Sequence, residues 1–463
     1  MMKAAVSTIK IVILITLIVT SVYQTSRLWF DDQSDPNLFY RVFSSSALEN
    51  LEAMRDAGNL ITPKQLGVYL GQPNLEYTVV KKGVTYYESL RNESIKILTM
   101  GLNKDYYIGT VENLELLWGN QHTSMHLDFP LEKATFATNL GISLNALNSI
   151  ESVETILIMP AFRNEIWLNI FLEDHVTGFY HHYQVPKTEV TISNDSLAYQ
   201  LSSVIAIGNK TSFISTLKNN IPYYSKHILL PLPSEDNRYH DPIFIRIPFV
   251  SSGVVNINDL NGYVSLYFDN PDIMKAIPLE DEVRYVDGNV VVRYNTEGLL
   301  EYNRIVKENT GPTSLTLALT VANQFIEQDI QRMPTEYFLK SYVQEDQRTV
   351  FYYDVGFNDY PFVLTEEVRE KYGMSHAMEV TVSGDKVIRY RRIIRQIDEM
   401  NPQNKTLQAK YEDVLDKVIV EVGTLDVEIE EMYLGYSWHM DMMEMSLNWV
   451  VQYDGNPHFY PVE

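Results

Sequence analysis

Apolar residues are most continuous near the N-terminus, where Ile11 to Val22 reads IVILITLIVTSV. Counting from Thr8 to Trp29 gives about twenty residues, enough to cross roughly 30 Å of hydrocarbon if the Lys10 stem snorkels toward the inner side. Lys3, Lys10 and the Met1 amine lie before the run and only Arg27 follows closely. The positive-inside rule then predicts a cytoplasmic N-terminus and an extracytoplasmic remainder. Lys10 and Arg27 bracket the span, and Trp29 and Phe30 suit the outer interface, where aromatic rings anchor. A cleaved signal peptide is the competing reading, with Val19-Thr20-Ser21 before the cut. Apolar character continues past that point into Tyr23 and Leu28-Trp29-Phe30, which favours an anchor.

Beyond the polar exit Asp31–Pro36 the pattern alternates between two periods. Helical spacing marks Ser46–Ala57 and Tyr86–Met100, the latter with Leu90, Ile97 and Leu98 toward one side. Thr62–Gln65 has a capping residue with Pro63 directly behind it, a helix-start signal. Strand patterns follow at Val153–Met159, Ile166–Leu172 and Gly178–Val185, the last two forming a hairpin across Glu173–Thr177. Leu197–Ile207 is apolar and fits either a helix or a buried strand. From Ser225 the texture becomes strand-rich: Ile228–Pro231, Ile243–Val250 and Tyr263–Phe268. Asp287-Gly288 joins Val283–Val286 to Val290–Tyr294, and Glu297-Gly298 leads into Leu299–Arg304, an antiparallel meander.

The last third repeats an order. Thr313–Gln328 predicts a helix with Pro312 just before it, followed by strands at Tyr337–Gln344, Thr349–Phe357, Met378–Ser383 and Lys386–Ile394. Lys410–Val420 predicts a second helix, with strands at Asp426–His439, Met445–Tyr453 and His458–Val462. The fold class expected is therefore α+β: a single N-terminal transmembrane helix plus a multi-domain extracytoplasmic region of curled antiparallel sheets with helices on one face. The expected boundaries are 1–30 for the cytoplasmic N-terminus and anchor, 31–222 for a first α+β domain, 223–310 for a middle β-rich domain and 311–463 for a duplicated α+β domain.

Composition narrows the function. At 463 residues the chain is long enough for two to four domains. Sixty acidic against 37 basic residues give a formal charge of -23, which repels nucleic acid and disfavours it as a partner. The absence of cysteine excludes disulfides, thiolate chemistry, iron–sulfur clusters and lipoprotein acylation, and suits an exported bacterial protein.

Motifs for chemistry are sparse. No Gly-x-Ser-x-Gly elbow, His-Glu-x-x-His pair or dinucleotide fingerprint occurs, and Gly208-Asn209-Lys210-Thr211 lacks the second glycine of a phosphate loop. His175 and His181, with Glu173 or Asp174, could meet across the hairpin around a metal; His182 would point to the opposite face from His181. Trp438–Met445 is methionine-rich, as Cu(I) ligands or as filling at an irregular core edge. Paired carboxylates of the kind a glycosidase needs occur at Glu173/Asp174, Glu366/Glu367 and Asp441/Glu444. Lys386–Arg395 is a basic island that neutralises acidic neighbours or offers a docking face. Neither a metal nor a cofactor is expected.

Several short words together resemble one family. The leader IKIVILITLIVTSVYQTSRLWF, His126-Leu127-Asp128-Phe129-Pro130 with Thr135-Phe136, Tyr263–Pro271 (YVSLYFDNP), Arg284–Gly288 and Gly298–Tyr302 (GLLEY) are similar to YycH proteins. Phe357–Phe362 (FNDYPF), Gly384–Tyr390 (GDKVIRY) and Leu434-Gly435-Tyr436 also resemble YycI proteins. The resemblance implies a non-enzymatic, membrane-anchored regulator of the WalK/WalR cell-wall two-component system in low-GC Gram-positive bacteria. A WalK-like sensor histidine kinase and a YycI-like protein would be its partners, met largely through membrane helices. Helix association in lipid uses small and hydroxyl side chains, which Thr16, Thr20 and Ser21 supply, Thr16 and Thr20 on one face. The alternative expectation is an exported cell-wall enzyme or solute-binding protein anchored to the membrane.

Overall fold

Period-two alternation governs most of the chain, and it folds into two large, mainly antiparallel sheets with seven α-helices among the described residues. The structure is a computed structural model that describes residues 61–462, apart from positions 62, 64, 70, 72–75, 83–84, 112–113, 115–116, 118–119, 148, 207–211, 217–222, 225–227, 234–237, 307–313, 346, 401–403, 425–426 and 440–442. The N-terminal span with Lys10, Thr16, Thr20, Ser21, Arg27, Trp29 and Phe30 lies outside the described residues, as do Ser46–Ala57 and Gly208–Thr211. Among the described residues no helix is long and apolar enough to cross a membrane.

The first sheet has nine strands: β1 (Gln65–Tyr69), β2 (Glu76–Lys81), β3 (Tyr107–Val111), β4 (His122–Glu132), β5 (Ser152–Met159), β6 (Trp167–Asp174), β7 (Tyr180–Pro186), β8 (Ser212–Ser215) and β9 (Leu229–Pro231). Their order is β3-β7-β6-β5-β4-β1-β2-β8-β9. Strand β5 is buried along its whole length because both faces are covered. Ile156 and Ile158 belong to the main core, to which helices α1 (Thr85–Gly101), α2 (Lys133–Leu140) and α3 (Thr191–Ala206) contribute Leu90, Phe136 and Leu197, while Leu157 and Met159 join a small cluster with Phe171 and Tyr180. Leu90, Ile97 and Leu98 are fully buried on α1, as the periodicity requires. Leu197–Ile207 falls largely within helix α3, whose Leu197 and Leu201 face the core.

The second sheet is built from β11 (Ile243–Arg246), β14 (Lys275–Pro278), β15 (Glu282–Val286), β16 (Val290–Asn295), β17 (Leu299–Arg304), β18 (Glu336–Glu345) and β19 (Arg348–Phe357). It continues with β20 (Tyr360–Leu364), β21 (Met378–Ser383), β22 (Lys386–Ile393), β23 (Gln396–Met400), β25 (Glu431–Trp438), β26 (Glu444–Tyr453) and β27 (Asn456–Pro461). The short strands β10 (Arg238–His240) and β24 (Asn404–Thr406) pair with each other, as do β12 (Val250–Ser251) and β13 (Val254–Val255). The predicted meander β15-β16-β17 joins β22 directly, and β20–β25 is a parallel pair. Helices α4 (Ile257–Val264), α5 (Leu315–Arg332), α6 (Glu366–Tyr372) and α7 (Tyr411–Val422) accompany this sheet. Asn358 and Asp359 both have positive φ (50° and 66°), giving the turn that reverses β19 into β20.

Two expectations fail locally. Tyr263–Phe268 is not a strand but the end of α4 followed by a 3-10 turn. The Asn256 side chain accepts from the amides of Asn258 and Asp259, and Leu260, Tyr263, Val264 and Tyr267 bury one helical face. The cap-like signal at Thr62–Gln65 leads instead into β1, which pairs on both sides with β2 and β4.

One buried carboxylate ties the second half together. Asp329 on α5 is fully buried and accepts hydroxyl bonds from Tyr263, Tyr267 (2.9 Å) and Tyr390, and a guanidinium bond from Arg392 (2.5 Å). Burial and the Asp329 charge hold all three tyrosine hydroxyls far above their ordinary pKa, so they stay protonated donors. Arg392 also donates to the Met333 carbonyl (3.2 Å). Its neighbour Arg391 points the other way, to Glu301 (3.1 Å) and Glu379 (3.3 Å), so the basic island Lys386–Arg395 spends these two charges on acidic partners.

Removing the Asp329 carboxylate strands a buried guanidinium and three hydroxyls. Asp329→Ala is expected to cost about 3–5 kcal/mol in urea denaturation, against about 1 kcal/mol for Tyr267→Phe. Equal costs for the two would show that the carboxylate is not the centre of this network.

Candidate functional site: a charged cleft between the sheets

The two sheets meet across a cleft of about 200 Å³. Its walls are largely apolar, with Phe213, Leu229, Phe338 and Met432 among them, but charged side chains converge on it. The first sheet contributes Lys81, His126, Asp128 and Glu154; the second contributes Lys340, Asp354, Asp359 and Glu431. Five carboxylates thus face two ammonium groups.

Interruptions of the ladder place three of these charges. Between Val153 and Thr155 the β5–β6 register shifts, and Glu154 sits at that shift. The β4–β5 register shifts between His126 and Leu131, and Asp128 sits in that interval. In the β18–β19 pair the shift between Leu339 and Ser341 singles out Lys340. A bulge turns a side chain out of strict alternation, so a charge within an apolar strand can be aimed at a cleft instead of a core.

Each wall holds a lysine between a carboxylate and a tyrosine ring. Lys340 Nζ lies 2.7 Å from Glu431 and 5.5 Å from the centre of the Tyr433 ring. Burial disfavours the Lys340 ammonium, but Glu431, Tyr433, Asp128 and Asp354 outweigh it and raise its pKa above the ordinary lysine value. Lys81, on β2, reaches across to Asp359 (3.4 Å) and lies 4.8 Å from the centre of the Tyr360 ring. This contact and the edge-to-face pair Phe129–Tyr342 (5.3 Å between ring centres) fasten one sheet to the other. Two histidines back the acidic side: His376 Nδ1 is 2.8 Å from Asp354, and His175 Nδ1 is 2.9 Å from Glu154.

The histidines singled out from the sequence are distributed differently from a metal cage. His175 is half exposed beside Glu154, whereas His181 is buried against Tyr107, its Nδ1 3.3 Å from the tyrosine hydroxyl. His182 stacks on Phe171 (4.3 Å between centres) and its Nε2 is 2.8 Å from Asn169 Oδ1. Among the described residues no group of three or more histidine, aspartate or glutamate side chains could hold a metal ion.

The paired carboxylates do structural work where they are described. Asp174 accepts the amides of Glu151 (3.2 Å) and Ser152 (3.0 Å) and the Thr177 hydroxyl (2.8 Å). Burial would raise its pKa, but these donors together lower it. Glu366 and Glu367 occupy the first turn of α6, where the helix dipole favours anions. Glu444 is exposed at the start of β26, and Asp441, Met440 and Met442 lie outside the described residues. Trp438, Trp449 and Met445 are buried as core.

The cleft charges did not stand out in the sequence because they come from separate strands. Their signal is a charge inside an otherwise apolar strand: Glu154 in SVETILIM, Lys340 in YFLKSYV and Asp354 in FYYDVGF.

No family model matches the chain, and no curated protein matches it. Among solved structures, the chain is similar to YycH from Bacillus subtilis, with a TM-score of 0.47 and 13% identity, covering 88% of this chain and 97% of that one. It is also similar to the C-terminal domain of YpeB from Bacillus megaterium, with a TM-score of 0.27 and 13% identity, covering 46% of this chain and 93% of that one. The family that the sequence words resemble is thus represented among the structures similar to this chain.

Buried His182 gives the first sheet an acid limit. Desolvation lowers its pKa from 6.5 to about 4 in the folded chain, so the unfolded chain takes up the proton first. Stability from this group is complete above pH 6.5 and falls as pH drops toward 4, at up to roughly 1.4 kcal/mol per pH unit. Chemical denaturation from pH 7 to 4 is expected to show this slope, and His182→Gln to lose it. A slope unchanged in the variant assigns the proton elsewhere.

Proposed function

We propose that the chain is an extracytoplasmic regulatory protein that associates with a WalK-like sensor histidine kinase and tunes its output in cell-wall homeostasis signalling. The apolar segment around Ile11–Val22 is its single membrane anchor, with the N-terminus cytoplasmic and a YycI-like protein as hetero-partner.

The observation that carries this reading is where the resembling words meet. Tyr263 and Tyr267 of YVSLYFDNP and Tyr390 of GDKVIRY all bond Asp329, while Tyr302 of GLLEY packs 5.1 Å from Phe325 of the same helix. His126 and Asp128 of HLDFP, Asp359 and Tyr360 of FNDYPF, and Leu434 line the cleft. Words scattered over 300 residues of sequence converge on one buried network and one cleft, so they belong to a shared architecture. The pairing of cleft charges with one another also suits a module that holds its shape more than one that moves protons.

The reading assigns kinase association to the anchor, where Thr16 and Thr20 share a face. Replacing residues 8–29 by an unrelated membrane helix is expected to abolish co-purification of the kinase from membranes while the ectodomain's thermal unfolding stays unchanged. Recovery of the kinase at the native level by that chimera would falsify the membrane-helix mechanism.

A further inference from the structure

We propose that the inter-sheet cleft is a binding site for a ligand carrying one ammonium or guanidinium group on a short apolar stem. The inference is independent of the kinase association above. It rests on the cavity and on what the protein already seats there.

The lining has the opposite charge to such a ligand. Five carboxylates against two lysines give the cleft a formal charge of −3, within a wall that is otherwise apolar. Clefts with low-dielectric walls concentrate the field of such a charge, so a cation entering it gains more than at an open surface. A bare metal ion is poorly served, since no three-ligand group occurs among the described residues. An organic cation with an apolar stem meets both parts of the lining.

The protein shows what the seats accept. Lys81 and Lys340 are each an ammonium on an apolar stem, and each lies beside a carboxylate and a tyrosine ring face. The Lys340 seat is internal, because its lysine and both partners belong to one sheet. The Lys81 seat is different: its side chain is 27% exposed and its partner Asp359 31% exposed, and Lys81 lies on the first sheet while Asp359 lies in the β19–β20 turn of the second. A single exposed ion pair of this kind is weak, so an incoming cation can displace it. Lys81 is thus a built-in competitor for the Asp359–Tyr360 seat, and occupation of the cleft would release one of the contacts joining the sheets.

The test uses the full chain in detergent and isothermal titration. n-Butylammonium and n-butylguanidinium represent free small cations, and blocked Gly-Lys-Gly and Gly-Arg-Gly peptides represent basic side chains of a polypeptide. Butyrate and blocked Gly-Met-Gly are the anionic and neutral controls. Saturable binding of at least one cationic probe in the millimolar range or tighter is expected, without binding of either control. Binding by the peptides alone assigns the source as a polypeptide; equal binding by the alkyl cations assigns it to the shared group. Lys81→Met removes the competitor and is expected to tighten binding about tenfold, while Asp359→Asn weakens it about as much. Asparagine tolerates the positive φ of position 359, so the turn is kept, and unchanged thermal unfolding checks the fold. No saturable binding of any cation, equal binding of Gly-Met-Gly, or affinities unmoved by both substitutions would overturn the proposal.

Discussion

Burying a carboxylate costs several kcal/mol unless its lone pairs and its charge are both answered. Asp329 has its charge answered by Arg392 and its remaining acceptor capacity by three tyrosine hydroxyls. The donors come from α4, the 3-10 turn after it and β22, while the acceptor comes from α5. The network can therefore form only when helix, turn and strand take one relative position. Packing alone would let a ring such as Phe325 sit against Tyr267, Tyr302 or Tyr390 in several ways, but the hydrogen bonds select one. From β22 the constraint passes to the meander through β17 and to β21 and β19 on the other side.

The cleft obeys the same electrostatics at higher exposure. Its lysines and carboxylates are paired, but at the margin of solvent, where water can replace a partner at small cost. The contrast between the two sites is one of burial. The Arg392–Asp329 pair is 2% and 0% exposed and acts as a fixed joint. The Lys81–Asp359 pair is 27% and 31% exposed and acts as a fastening that can be undone. Both pairs join separate elements: Arg392 of β22 to Asp329 of α5, and Lys81 of β2 to Asp359 in the turn before β20.

Much of the fold was legible because the two periods are distinct. The hairpin of β6 and β7, the meander around Asp287-Gly288 and helix α1 follow from alternation, turn residues and a helical apolar stripe. The segment at Tyr263–Phe268 misled because aromatics favour strands, while the side-chain cap of Asn256 and the i, i+4 spacing of Tyr263 and Tyr267 decide for a helix. The convergence of charges on the cleft was not legible, although single charges inside apolar strands were. A bulge is a relation between two strands, and the sequence of one strand does not contain its partner's register.

For that reason neighbouring carboxylates such as Glu173 and Asp174 stand out in the sequence while Glu154 does not. Adjacent carboxylates on a strand face opposite sides, so adjacency works against their acting together unless the strand is broken. Glu154 gains its position from such a break and is answered by His175, 21 residues away, while Lys340 gains its position the same way and is answered by Glu431, 91 residues away. A charge in the middle of an apolar strand is costly to bury and is kept only where a partner is supplied. Three such charges sit at ladder interruptions that open on one cleft. Independent placement of three costly groups at a single opening is hard to attribute to the needs of stability, since apolar residues would pack those strands at lower cost. The cleft is therefore where costly polar groups and breaks in the strand ladder coincide.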